Sequence, residues 1–423
     1  MAASHRIAAL VAAAAAVAVL PTPASAAPAK AEASTEAGLR ARLAGPMRSA
    51  GRASGAYVVN ATQGRSVLRW NYDRPRILAS NTKLFTTAAA LARYGVRGTL
   101  DTEVRGVGRL DEDGVWRGDL YLVGGGDPTF GSSRFARRSY RGGASVEALA
   151  RELERAGILR VTGRIYGDES RFDSLRGGPD SGYRISPWVG PLSGLSYNRG
   201  LSTESGRGWQ LNPPAFAAAR LDAALERRDV AVGRPPRARR TPASAIRLAA
   251  ISSPPMARLA TITNKPSDNF FAEMLVKALA AQAGGRGTTS GGTRLAARFA
   301  SRIGGRPSRL ADGSGLSRAN RASPYRVGRL LLAMRERDEF PEFFASLSVA
   351  GRDGTLRPRM RGGPARGRCR GKTGTISGVS AVSGYCRARS GDTYVFSILM
   401  NGVNAFGARA LQDRMLQAIA GVR

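Results

Sequence analysis

Apolar and polar positions change their spacing along the chain, and each change marks a segment. Ile7 to Leu20 is an unbroken apolar run behind the positive Arg6, closed by Ala24-Ser25-Ala26. The run is shorter than the roughly 20 residues that span a bilayer, and the small-x-small triplet reads as a cleavage site. Residues 1–26 are therefore read as a secretory signal peptide, with an uncleaved anchor as the alternative. Glu36 to Ala50 reads as a first helix. Gly55–Asn60 and Ser66–Tyr72 alternate apolar and polar side chains around Ala61-Thr62-Gln63-Gly64, which predicts a β-hairpin. Thr82–Tyr94 has apolar residues at helical spacing, and Gly95 ends it.

From about Thr99 the period shortens. Glu103–Leu110, Asp119–Val123 and Arg160–Tyr166 read as strands, with a helix over Ser145–Ala156. Residues 170–245 are rich in Gly, Pro and Arg and carry no clear period. Helical stripes return at Asn269–Ala281, Gly291–Ile303 and Pro324–Arg335. Three strands follow, Arg368–Thr375, Val379–Arg387 and Asp392–Met400, and then a helix, Gly407–Ala420. The chain divides into a first domain part (27–98), an inserted β-rich region (99–245) and a second domain part (246–423). If the two outer parts share one sheet, the fold is α+β: an antiparallel sheet with helices on both faces, interrupted by an insertion.

Composition narrows the chemistry. The only histidine among the 423 residues is His5, inside the signal. A mature chain without histidine has no Ser-His-Asp or Cys-His mechanism and no histidine-bearing metal site. No metal and no cofactor is expected. The formal net charge is +34, spread along the chain. An exported protein of that charge is held at anionic wall polymers or acidic phospholipid surfaces. No helix-turn-helix, zinc finger or aromatic-basic strand points to a specific nucleic-acid partner. Almost all of the positive charge is arginine; lysine occurs only at Lys30, Lys83, Lys265, Lys277 and Lys372. Of the two side chains only lysine gives up its proton at a useful pH.

Two of those lysines stand in short motifs. Ser80-Asn81-Thr82-Lys83 is the only S-x-x-K, at the predicted start of a helix. There the i and i+3 side chains share a face, and the helix N-terminus adds positive potential. Lys372-Thr373-Gly374 is the only K-T-G, in a predicted strand where glycine permits close backbone approach. Ser267-Asp268-Asn269 opens a further helix. Ser196-Tyr197-Asn198 has the same S-x-N pattern but lies in the Gly/Pro-rich stretch. Each motif alone also reads as a helix cap or an ordinary surface lysine. In the order S-x-x-K, S-D-N, K-T-G they form the set of penicillin-binding proteins and class A β-lactamases.

The expected reaction is acyl transfer. Lys83 takes the Ser80 proton, and Ser80 attacks a carbonyl. The backbone N–H groups of Ser80 and Thr375 meet the oxyanion. Ser267 and Lys372 relay a proton to the leaving amine, Asn269 holds the substrate amide, Lys372 also attracts a terminal carboxylate, and Thr373, Gly374 and Thr375 are expected to bind substrate. Lowering a lysine pKa from about 10.4 to about 7 requires roughly 4.6 kcal/mol. A second ammonium about 4 Å away contributes about 4 kcal/mol at an effective dielectric near 20. Lys372 is therefore expected to supply most of the shift and desolvation the remainder.

The two cysteines, Cys369 and Cys386, fit the same picture. A hairpin turning at Ser377-Gly378 sets Cys369 opposite Cys386, Lys372 opposite Ser383 and Thr375 opposite Ser380. Directly opposed strand residues are close enough for a disulfide.

Longer strings carry a family resemblance. They are Ala79 to Ala88, Leu122 to Thr129, Leu195 to Asn198, Asp312-Gly313-Ser314-Gly315-Leu316-Ser317-Arg318, Gly351 to Leu356 and Lys372 to Gly378. With the three motifs, the chain resembles the low-molecular-mass class C penicillin-binding proteins. These are the D-alanyl-D-alanine carboxypeptidase/endopeptidases of peptidase family S13. The resemblance implies a β-lactamase/transpeptidase-like fold with domains inserted between the first two motifs. It implies D-Ala-D-Ala carboxypeptidase and DD-endopeptidase activity on peptidoglycan stem peptides, and acylation by β-lactam antibiotics. A β-lactamase or esterase-like acyl-serine hydrolase of the same fold is the alternative. By position, the resemblance also maps a side-chain-holding acid and arginine of the family onto Asp173 and Arg318. Two departures stand out. Gly200 replaces the usual continuation of L-S-Y-N, and the span from Ser80 to Ser267 is short for the family.

Overall fold

The computed structural model describes residues 36–304 and 308–423. The predicted signal peptide, residues 1–26, lies outside the described residues. One sheet joins the two ends of the described chain. Its strands lie in the order Ser348–Val349, Cys369–Ile376, Val379–Arg387, Thr393–Asn401, Gly55–Asn60 and Arg65–Trp70, each antiparallel to its neighbour. The hairpin register pairs Cys369 with Cys386, Lys372 with Ser383 and Thr375 with Ser380, as the sequence spacing predicts. A disulfide joins the two cysteines.

Both faces of this sheet are covered, which is why Thr393–Asn401 reads as a continuous apolar run instead of an alternating one. Val395 and Leu399 face a core shared with the helices Thr82–Tyr94, Asn269–Gln282 and Pro324–Arg335. Phe396, Ile398 and Met400 face the other way, against the helices Glu36–Ser49 and Ala405–Ala420. Burying each such side chain contributes about 1.5–3 kcal/mol. Asn269–Gln282 is buried from Phe270 to Ala281, so it is a central helix with no solvent face.

A second sheet is built from the inserted region. Asp101–Leu110 lies between Val115–Gly124 and Ile246–Ser252, antiparallel to both. Arg160–Val161 and Ile165–Asp168 run parallel to Val115–Gly124. The expected single strand Arg160–Tyr166 is thus two short ones; between them the Asp119 carboxylate accepts the Arg164 N–H at 3.0 Å in place of a ladder bond. The expected end of the insertion at 245 also moves. Ile246–Ser252 belongs to the inserted sheet, its Arg247 opposite Arg105 and its Ser252 opposite Asp101. The helices Val146–Arg155 and Pro213–Glu226 cover one face. The second of these falls in the stretch without a clear period. Asn212 caps it by accepting the Ala215 N–H, and its two prolines occupy the first turn, where no N–H is needed.

Candidate active site

The three motifs converge where the central helix, the hairpin and the helix Thr82–Tyr94 meet. Ser80 sits in the single turn Ala79–Asn81 that leads into that helix. Ala79 is held at φ 46°, a region that costs a non-glycine residue on the order of 1–3 kcal/mol. Two glycines make room for the turn. A Cβ on Gly315 would lie 1.9 Å from the Ala79 carbonyl oxygen, and one on Gly374 would lie 2.9 Å from Ser80 N. The glycine of K-T-G thus admits the nucleophile's own backbone, and brings the Ser80 amide against the Gly374-Thr375 segment. Asn81 ties the same two pieces together, its Nδ2 donating to the Lys372 carbonyl at 3.0 Å.

Lys83 is fully buried. Its Nζ lies 3.0 Å from Ser80 Oγ, 2.7 Å from Asn269 Oδ1 and 2.6 Å from the Ser314 carbonyl oxygen. Asn269 Oδ1 and the Ser314 carbonyl can only accept. A neutral amine has two N–H groups for them and one lone pair left for the Ser80 hydroxyl. Burial lowers the Lys83 pKa to about 8, against the opposing pull of Asp312, Glu273 and Asp268. This differs from the expectation that Lys372 would supply most of the shift: desolvation leads. Lys372 is also fully buried, donating from Nζ to Ser267 Oγ and to the Thr373 carbonyl, each at 2.8 Å. Its pKa falls well below the ordinary lysine value, through burial first and the Lys83 charge second. Both amines are fully buried, and a charge on Lys83 further disfavours one on Lys372.

Ser267 and Asn269 bracket the start of the central helix. Ser267 takes φ 64°, the second strained residue of the site. Asp268 caps the helix through the Phe271 N–H, and its other oxygen is ion-paired with Arg199. Arg199 also lies over the rings of Phe270 and Phe271, at 5.0 and 5.9 Å from their centroids. Asn269 Nδ2 donates to the Trp188 carbonyl at 3.2 Å. The insertion thus braces S-D-N at two points.

Beneath Lys83 lies a buried acid. Glu273 Oε1 accepts the N–H groups of Gly313 and Ser314, at 3.1 and 2.8 Å, and so fixes the peptide whose carbonyl meets Lys83. Burial raises its pKa to about 7. Asp312 beside it accepts from Gly315 N, Ser317 N and Asn320 Nδ2, which shapes the loop under the nucleophile turn.

The other expected residues fall as follows. Thr373, Gly374 and Thr375 line a cavity of about 590 Å³ with Ser80 and Ser267. Asp173 is ion-paired with the buried Lys277, two turns along the central helix from Asn269. Arg318 is exposed and donates to the Ser377 carbonyl at 2.8 Å, at the hairpin tip beyond Thr375. Glu273, Asn81, Arg199 and the carbonyls of Ser314 and Trp188 are contributors that the motifs do not announce. Only Glu273 leaves a trace in the sequence, as an acid within the apolar run Phe270–Leu275.

The chain matches the model of the D-Ala-D-Ala carboxypeptidase 3 (S13) family over residues 36–200 and 208–422. It is 30% identical to a D-alanyl-D-alanine carboxypeptidase of Actinomadura sp. (strain R39), over 88% of this chain and 81% of that protein. That alignment runs over 451 positions, more than the chain holds, so it passes over segments that this chain lacks. Carboxypeptidase DacB of Mycolicibacterium smegmatis is 28% identical, over 84% of this chain and 77% of that protein. Among solved structures, penicillin binding protein 4 (dacB) from Haemophilus influenzae superposes with a TM-score of 0.74 at 20% identity, over 88% of this chain and 97% of that one. A penicillin G acylated predatory endopeptidase, Bd3459 of Bdellovibrio bacteriovorus, superposes with a TM-score of 0.52 at 17% identity, over 85% and 90%. The likeness to these two structures is one of fold.

Proposed function

Because the chain belongs to the D-Ala-D-Ala carboxypeptidase 3 (S13) family, we propose that it cleaves the D-Ala-D-Ala ends of peptidoglycan stem peptides, and the cross-links made from them, through an acyl-enzyme on Ser80. It is a serine peptidase and a penicillin-binding protein; the β-lactamase or esterase alternative is not favoured. The observation that carries the residue assignment is the buried Lys83 amine, with two acceptors for its N–H groups and the Ser80 hydroxyl at the remaining position.

In the reaction, neutral Lys83 takes the Ser80 proton as Oγ bonds to the penultimate D-Ala carbonyl carbon. The N–H groups of Ser80 and Thr375 receive the oxyanion. One N–H of Asn269 Nδ2 is engaged with Trp188, which leaves the second for the substrate amide. As the C–N bond breaks, the Ser267 hydroxyl protonates the leaving amine, and Lys372 replaces that proton across their 2.8 Å contact. The arriving terminal carboxylate favours the charged form of Lys372, which pairs with it alongside Thr373. Once Lys83 has given the Ser80 proton up to solvent and Lys372 has regained one from it, neutral Lys83 deprotonates a water that attacks the acyl carbon, and it passes that proton to Ser80 Oγ as the acid leaves. Incubation with an acylated D-Ala-D-Ala peptide tests the reading: D-alanine is released, and Ser80→Ala stops the release.

Export is part of the same proposal. The apolar run Ile7 to Leu20 ahead of Ala24-Ser25-Ala26 supports it, as does the Cys369–Cys386 disulfide, a bond that persists in oxidising compartments. The net charge, +33 once residues 1–26 and their Arg6 are removed, would hold the exported protein at anionic wall polymers or membrane surfaces.

A further inference from the structure

One wall of the cavity beside Ser80 has no task in the reaction above. Beyond Thr373 and Thr375 it is lined by Arg357, Arg359 and Arg409. Their charges are not equivalent. Arg359 is mostly buried and pairs with Asp413 at 2.7 Å, so its charge is compensated. Arg409 donates to the neutral Thr375 hydroxyl at 3.2 Å and lies over the exposed ring of Phe406. Arg357 is exposed, and its side chain makes no hydrogen bond or ion pair among the described residues. Two guanidinium groups therefore face the cavity without a carboxylate.

The position of this wall relates it to one end of the substrate. Ser267, which protonates the leaving amine, lines the cavity; Asn269, which holds the acyl-side amide, does not. The arginines thus stand on the leaving-group side. The terminal carboxylate there already has Lys372 and Thr373. At about 590 Å³ the cavity is also of the size that holds a drug-sized ligand, more than an alanine needs. Paired guanidinium groups suit a carboxylate in geometry as well as charge.

We propose that Arg357 and Arg409 form an anion subsite on the leaving-group side, which takes a second carboxylate carried by the leaving residue in addition to its terminal one. This deepens the peptidase reading and rests on it. The preferred substrates are peptides whose leaving group is diacidic.

Three acylated peptides ending in D-Ala-D-Ala, D-Ala-D-Glu and D-Ala-D-Gln test the subsite through kcat/KM. The D-Glu and D-Gln peptides differ in little but charge. The expected D-Glu to D-Gln ratio is on the order of tenfold, the scale of one charge-assisted hydrogen bond. It falls to about one in Arg357→Ala with Arg409→Ala, and inverts in Arg357→Glu. Arg357→Ala alone guards against misfolding, since that side chain holds nothing in place, and it lowers the ratio part of the way. A ratio near one in the unaltered protein, or equal slowing of all three peptides in the variants, overturns the subsite. If the unaltered protein cleaves none of the three, the peptidase reading fails and the subsite falls with it.

Discussion

Lys83 Nζ lies 3.0 Å from Ser80 Oγ, one helical turn along the chain, inside a site that excludes solvent from the amine. The amine stands where other serine hydrolases place an imidazole. Lys83→Arg separates basicity from positive charge, because guanidinium keeps its proton at any useful pH. Acylation by a penicillin, followed in stopped flow, is expected to slow by about 10²- to 10⁴-fold, the usual contribution of a general base. Loss of a few-fold only would assign the proton transfer elsewhere.

The pH dependence follows from burial. The Lys83 pKa is lowered to about 8, and only the neutral amine accepts the Ser80 proton. The acylation rate constant should therefore rise with pH and level off above about 8. A rate that climbs on toward the ordinary lysine range would show an amine in water. Stability carries the same sign. Between about pH 8 and 10.5 the unfolded chain binds a proton at this position that the folded protein does not, so the Lys83 contribution to stability rises across that window. In Lys83→Met, denaturant titrations should lose that part of the slope.

Glu273 acts on the reaction through its neighbours. It orients the Ser314 carbonyl toward Lys83, and its negative charge raises the Lys83 pKa. Glu273→Gln keeps an acceptor for the two N–H groups and removes the charge. The midpoint of the pH–acylation profile should move to lower pH, with the folded protein retained. Glu273→Ala should also slow acylation at the plateau, because the Ser314 peptide is then free to turn. An unmoved midpoint in the Gln variant would leave Glu273 a packing role only.

Arg199 connects the inserted region to S-D-N. Arg199→Met removes the ion pair and leaves the Asp268 carboxylate, which is mostly buried, without its partner. Breaking a buried pair by removing one member costs about 3–5 kcal/mol; partial exposure brings the expectation here to about 2 kcal/mol. Thermal denaturation measures this loss. Penicillin acylation should slow as well, because Ser267 and Asn269 flank the residue that Arg199 holds. A stable variant with unchanged acylation would make the brace incidental.

Much of this arrangement is legible in the sequence. The hairpin register follows from two cysteines and a Ser-Gly turn, and the structure repeats it pair for pair. Thr82–Tyr94 and Pro324–Arg335 begin and end as their apolar stripes predict. The inserted region was harder for a physical reason. Several of its strands are short and pair in parallel, so local alternation is weak there; Arg160–Val161 and Ala231–Val232 are two residues each. Pro213–Glu226 hid behind its prolines, although Asn212 ahead of them is a capping signal. Within the site, side-chain motifs were visible and backbone acceptors were not. A carbonyl such as that of Ser314 carries no residue signature. The cause of the lysine shift is hidden in the same way: charge repulsion follows from motif spacing, whereas the burial that lowers the Lys83 pKa depends on tertiary packing.

The most direct test of the acyl-enzyme is mass spectrometry of the folded full chain after treatment with benzylpenicillin. The expected result is a stoichiometric penicilloyl adduct, mapped by proteolysis to the peptide containing Ser80 and absent from Ser80→Ala. A folded protein without an adduct, or an adduct on another residue that persists in Ser80→Ala, would contradict it.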